Sequence, residues 1–158
     1  MKTFDFVIIG GGSAGCVLAD KLSASGKHSV CLLEAGKPDK SWLIHLPIGI
    51  IGLMQSRNLN WQFNSHAEKT LNQREIFTPR GKTLGGSSSI NAMLYVRGQK
   101  QDYDHWHNLG NKGWSFDEVL PYFKALEHQE RGEDDFHGIN GALNVADSVS
   151  KPAVNEDF

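Results

Sequence analysis

With 158 residues, 39% of them hydrophobic and 22% charged, the chain has enough apolar content for a core and too much for disorder. Sixteen Lys and Arg against eighteen Asp and Glu give a net charge of −2, which offers no basic field for nucleic acid. No stretch approaches the roughly 20 apolar residues of a membrane span.

The chain opens with FDFVIIG (4–10), a short apolar run of the kind that forms a buried parallel strand. From Ser13 to Ala24 the pattern turns helical. Ala14, Val17, Leu18, Lys21 and Leu22 share a face, and Gly26 stops it. SVCLLEAG (29–36) predicts a second strand, closed by Glu34 and Gly36. Residues 4–34 therefore predict one β-α-β unit. Cys16 on the helix and Cys31 in the strand are expected as small buried hydrophobes, which fits a reducing, cytoplasmic compartment. No cleavable signal pattern precedes the first strand.

Residues 37–60 read as a long connection with a short helix near 48–55. The apolar run LIHLPIGIIGLM (43–54) is too short to span a bilayer and is broken by Pro47 and two glycines. It is expected to pack on the core, with a peripheral contact at the inner membrane as the second reading. WQFNSHA and REIFTP, on either side of EKTLNQ, predict a hairpin. PRGKTLGGSSS (79–89) is a Gly/Ser loop, and SINAMLYVRG (89–98) predicts a helix capped by its serines. DYDHWHNLG predicts another short helix. SFDEVLPYFKALE (115–127) predicts a helix with a Ser115/Glu118 capping box, an apolar face and a kink at Pro121. HGINGALNVAD (137–147) reads as a turn running into a strand. The fold class is α/β, with an incomplete sheet, because two parallel strands are too few for a dinucleotide-binding domain.

The spacing Gly10-x-Gly12-x-x-Gly15 follows a strand and opens a helix. Gly10 makes the tight turn, Gly12 lets a pyrophosphate approach the backbone, and Gly15 lets the helix pack on the strand. Free N–H groups and the positive end of the helix then face the phosphates. Glu34 ends the second strand 19 residues past Gly15, where a carboxylate accepts hydrogen bonds from an adenosine ribose. These residues predict a dinucleotide and leave NAD and FAD open. Downstream, Gly85-Gly86 and Ser87-Ser88-Ser89 make a second cradle of N–H groups and hydroxyls, with the Asn91 amide beyond. It suits a phosphate or the polar edge of a flavin, and it equally suits an ordinary capped loop.

GKTLGGSSSINAMLYVRGQKQDYD resembles the first signature of the glucose-methanol-choline (GMC) oxidoreductases. IIGGGSAGCVLADKLS with LLEAG resembles their FAD-binding start, and DYDHWHNLGNKGWSFDEVLPYFK and HGINGALNV resemble later stretches. Within the family, the choline dehydrogenases and the alcohol dehydrogenases with a non-oxygen acceptor are most similar. The resemblance implies the N-terminal part of a Rossmann-like FAD-binding fold over residues 1–158. It implies FAD on Gly10, Gly12, Ser13, Ala14 and Gly15 through the pyrophosphate, and on Glu34 with Ala35 through the ribose. Thr83, Gly85, Gly86, Ser88, Asn91, Ala92, Met93 and Leu94 then lie along the flavin. Some relatives bind FAD covalently through a histidine where this chain has Ile90, so non-covalent FAD is expected.

The family oxidises an alcohol to an aldehyde, with hydride passing to flavin N5 while an imidazole takes the hydroxyl proton. That histidine lies near the C-terminus of a much longer chain, and nothing here matches it. The expectation is an N-terminal fragment, inactive by itself, with no catalytic residue and no metal site. The expected partners are an alcohol and an electron acceptor such as a quinone. A catalytically dead nucleotide-binding remnant is the alternative, and the 81–104 signature speaks against an NAD-dependent dehydrogenase or a flavin monooxygenase. His105 and His107 point apart on a helix and read as surface residues, while His45 and His66 are loop residues that could line a site. Trp42, Trp61, Trp106 and Trp114 are expected in the core or at an interface.

Overall fold

The computed structural model describes residues 2–147. The chain divides into two compact units, Met1–Leu94 and Tyr95–Phe158.

In the first unit, β1 (Phe6–Ile9) and β2 (Val30–Leu33) pair in parallel, Phe6 with Val30 through Ile9 with Leu33. Parallel neighbours need a crossover, and α1 (Ser13–Ser23) supplies it. Gly26, at φ 66°, ends the turn after the helix. The expected β-α-β unit is present. Its strands are not buried, however: Val7 is 57% exposed and Ile9 87%. A parallel sheet is buried only when both faces are covered, and a two-stranded sheet with one crossover helix leaves a face open. For the same reason Cys16 and Cys31 are free thiols that are only half-buried.

The segment after β2 carries α2 (Trp42–His45), which the sequence did not suggest, then a 3-10 turn (Pro47–Gly49) and the expected helix, α3 (Ile50–Gln55). Pro47 opens its turn, where a missing N–H costs nothing. Leu53 is the buried anchor of α3. The predicted hairpin is present as β3 (Phe63–Asn64) and β4 (Phe77–Thr78), antiparallel, with Phe63 opposite Thr78. Wholly buried Asn60 ties its base together. The Asn60 Oδ1 accepts the N–H groups of Gln62 (2.9 Å) and Arg80 (3.0 Å), and Nδ2 donates to the Met54 carbonyl.

The helix expected over 89–98 is absent. A 3-10 turn occupies Gly86–Ser89, and no helix follows it before residue 100. Local side-chain bonds outcompete the helix here. The Asn91 Oδ1 accepts the Met93 N–H at 2.8 Å and Met93 takes the left-handed region, φ 59°. Nor do the serines act as caps: Ser88 Oγ donates back to the Gly85 carbonyl and Ser89 Oγ to that of Leu84.

The second unit holds α4 (Lys100–Asn108) and α5 (Phe116–Leu126), both expected. Glu118 accepts the N–H and the hydroxyl of Ser115, the predicted cap, and α5 runs on through Pro121. Tyr103 packs its ring against Trp106, Phe116 and Phe123, and Val119 is buried beside them. Leaving α5 comes an unforeseen strand, β5 (Glu127–Gln129), paired in parallel with the expected β6 (Leu143–Val145). Glu127 is fully buried and ion-paired with Arg97, whose Nη1 donates to the Phe136 carbonyl at 2.6 Å.

Candidate functional site

The site begins where β1 stops. Gly10 turns the chain at φ 100°, a conformation that disfavours every side chain. A Cβ added there would meet nothing within 4 Å, so Gly10 faces open space. Gly12 is the N-cap of α1, and no side chain caps the helix. The first N–H groups of a helix have no partner inside it. Gly15 sets how close α1 comes: a Cβ there would lie 1.9 Å from the Gly10 carbonyl oxygen. Gly10 and Gly15 thus have separate steric reasons, a turn and a close packing, while a Cβ on Gly12 would meet only the Gly86 Cα, at 4.0 Å.

One N–H of the turn does not face outward. Gly11 donates to Glu34 Oε2 at 2.7 Å, and Gly36 donates to Glu34 Oε1 at 2.7 Å. The acid at the end of β2 is therefore engaged on both oxygens by backbone. Ala35, beside it, is exposed.

The second Gly/Ser loop lies directly on the first. The Gly85 N–H donates to the Gly11 carbonyl at 2.6 Å. A Cβ on Gly86 would stand 2.8 Å from the Gly12 Cα. Behind this contact Thr83 is wholly buried, its hydroxyl donating to the Lys37 carbonyl at 2.8 Å. Leu84 N–H bonds the same carbonyl at 3.0 Å.

The two loops border a groove of about 610 Å³. Gly10, Gly12, Glu34, Ala35 and Gly86, five of the sequence-predicted residues, line it with Ile9, Leu33, Gly81 and Ser87. Trp61, Phe63 and Arg80 complete the lining and were not foreseen as site residues. The alternation of Trp61 and Phe63 at the start of the predicted hairpin was the one signal for the two rings in the sequence. Trp61, expected in the core or at an interface, is 42% exposed on this groove. Its ring lies parallel to that of Phe63, 5.8 Å between centroids, and the Lys82 ammonium stands 4.4 Å from its centre.

Ser88, Asn91 and Met93 line a different, smaller cavity of about 120 Å³, walled by Leu43, Ile44, Leu46, Pro47, Ile50 and Leu53. The predicted residues therefore fall at two places in the unit. Ser13, Ala14, Gly15, Thr83, Gly85, Ala92 and Leu94 line neither cavity. Ser13 and Ala14 are exposed on the first turn of α1, and Ala92 and Leu94 are exposed on the segment after Asn91. Ile90 is a core residue. His45 and His66 line neither cavity, and His45 Nε2 lies 2.6 Å from the Asp39 carbonyl. Among the described residues the groove presents a carboxylate, a guanidinium, a hydroxyl and bare glycine backbone. That set can hold an extended anion and a flat ring; it contains no histidine to move a proton.

A family model described as GMC oxidoreductase matches residues 4–157. An alcohol dehydrogenase (acceptor) of Pseudomonas putida is 50% identical over 156 residues, covering 98% of this chain and 28% of that protein. An oxygen-dependent choline dehydrogenase of Vibrio vulnificus is 52% identical over 142 residues, covering 90% of this chain and 25% of that protein. Among solved structures, pyridoxine 4-oxidase from Mesorbium loti superposes with a TM-score of 0.84 at 36% identity, over 90% of this chain and 28% of that one. The chain thus spans roughly a quarter of the length of these relatives.

Proposed function

The chain belongs to the GMC oxidoreductase family, and on that premise we propose that it forms the FAD-binding part of an enzyme oxidising an alcohol to an aldehyde. The alcohol is proposed to be a primary one, either choline-like, in keeping with the choline dehydrogenase among its relatives, or aliphatic. The observation that carries the assignment is the union of the two glycine loops at Gly11 and Gly85, beside a groove that Gly10, Gly12, Gly81 and Gly86 help to line.

The residues fit the cofactor. Gly10 faces open space, and the uncapped start of α1 at Gly12, Ser13, Ala14 and Gly15 offers N–H groups and a partial positive charge to a pyrophosphate. Glu34 and Ala35 stand at the end of β2, next to that turn, where they would meet the adenosine ribose. Gly85 and Gly86 hold the second loop against the first, Thr83 ties it to the Lys37 carbonyl, and Ser88, Asn91, Ala92, Met93 and Leu94 continue from it as the flavin-side segment. When bound, FAD supplies the hydride acceptor. The tasks of this chain are to grip the phosphates, fix the orientation of the ring and keep water from it. Ile90 is an aliphatic core residue with no nucleophile, which supports non-covalent attachment.

The electron acceptor is proposed to be a molecule such as a quinone, in keeping with the acceptor-linked alcohol dehydrogenase of Pseudomonas putida. No helix among the described residues is long and apolar enough to cross a membrane. Trp42, Ile48 and Ile51 are exposed on the 42–55 segment, and they support a peripheral membrane contact of a cytoplasmic protein.

Titration of the purified chain with FAD and with NAD tests the assignment. The expected result is a yellow protein that quenches flavin fluorescence and ignores NAD. Binding of NAD in preference to FAD, or of neither, would overturn it.

A further inference from the structure

One carboxylate joins two loops of the first unit, and a third packs on both. Glu34 Oε2 accepts the Gly11 N–H and Oε1 the Gly36 N–H, each at 2.7 Å. Gly11 hands the restraint onward, since its carbonyl accepts the Gly85 N–H at 2.6 Å. So does Gly36: a Cβ there would lie 2.1 Å from the Lys82 carbonyl carbon, so its backbone is pressed directly on the second loop. The neighbouring Lys37 carbonyl then accepts from both Thr83 Oγ1 and Leu84 N–H.

We propose that Glu34 is a positioning residue that sets the spacing of the loops at 10–12, 34–37 and 82–86, and so shapes the groove before any nucleotide arrives. The proposal rests on the nucleotide assignment above and goes beyond it. A carboxylate serving only as a ribose acceptor could be lost without disturbing the glycine turn. One serving as a joint cannot. Charge-assisted bonds to two backbone donors are strong. An amide is a poor substitute, because its NH2 would face the N–H of Gly11 or Gly36.

Hydrogen exchange on the whole chain, without nucleotide, tests this. Glu34→Gln is expected to speed exchange at Gly11 and Gly36 by about tenfold or more. Gly85, which does not touch Glu34, should quicken with them. Inorganic pyrophosphate has no ribose, yet its affinity should fall by a factor similar to that of FAD. Glu34→Asp, which keeps the charge, should restore part of the protection. Unchanged exchange at the three glycines would overturn the proposal, as would a loss of FAD affinity with pyrophosphate affinity intact. Should Glu34→Gln lose protection throughout, the hairpin amide of Ser65 included, Glu34→Asp carries the test. Faster exchange at the glycines with Ser65 unchanged then supports the joint, and unchanged glycines sink it. A wild-type chain that binds neither FAD nor pyrophosphate defeats the cofactor assignment, while the exchange rates still decide the role of Glu34.

Discussion

Gly12 and Gly86 approach each other so closely that a Cβ on Gly86 would stand 2.8 Å from the Gly12 Cα. Gly86 also sits in the left-handed region, at φ 59°. Gly86→Ala is therefore expected to destabilise the chain by about 1–3 kcal/mol and to weaken FAD. Gly26→Ala is the control: φ is 66° but nothing lies within 4 Å. It should cost about 1 kcal/mol and leave FAD affinity alone. Denaturant midpoints and a FAD titration on both variants check the pair.

The Trp61 ring lies in the groove and is 42% exposed. Bound flavin nucleotide should quench its fluorescence and shield it from iodide. In Trp61→Phe most of the FAD-dependent change in tryptophan emission should vanish, although three tryptophans remain. A change that survives at full size would place the nucleotide elsewhere.

Arg97 and Glu127 form the buried ion pair of the second unit. Removing one partner strands the other charge. Arg97→Met is thus expected to cost about 3–5 kcal/mol, read from chemical denaturation. Replacing both residues by apolar ones of similar volume should recover much of the loss.

Asp134 titrates at about 2, below its ordinary 3.8. The hydrogen bond from the His137 ring is the largest cause, followed by the Phe136 N–H; burial opposes them, and the His137 N–H adds to them. A depressed carboxyl stabilises the folded chain fully above pH 3.8, and that stabilisation fades as pH falls through about 2. A carboxyl-carbon NMR titration should find the low midpoint. In Asp134→Asn the acid limb of the stability curve should be flatter across that interval.

Acid precipitation of the FAD-loaded chain should release the flavin to the supernatant, since Ile90 offers no atom for a covalent link. Flavin retained in the pellet would contradict non-covalent binding. Alcohol-dependent dye reduction is expected to be negligible for residues 1–158 alone, because no histidine lines the groove among the described residues.

Local signals were the legible ones. The β-α-β unit, the hairpin, α4, and α5 with its Ser115/Glu118 cap all follow from periodicity and end chemistry within a few residues. The helix expected over 89–98 failed because a single bond, Asn91 to Met93, redirects the backbone, and helical spacing does not register such a bond. Glu127–Gln129 reads as polar and is a strand because Arg97, thirty residues upstream, neutralises its buried acid. The groove divides along the same line. Its glycines announce themselves by spacing, whereas Trp61 and Arg80 arrive through Asn60, whose three side-chain bonds are contacts of the folded chain.

The open face of the first sheet bears on what the groove covers. Among the described residues β1 and β2 are each other's only partners in that sheet, so each carries an outer row of unused backbone donors and acceptors. The two ends of that sheet are unequal. At the Phe6 end Asp5 Oδ2 takes both the N–H and the hydroxyl of Ser29, closing the ribbon with a charge. At the other, Ile9 and Leu33 stand bare. A ligand in the groove would cover Ile9 and Leu33 along with Gly10, so the bare end of the sheet and the glycine turn change their exposure together.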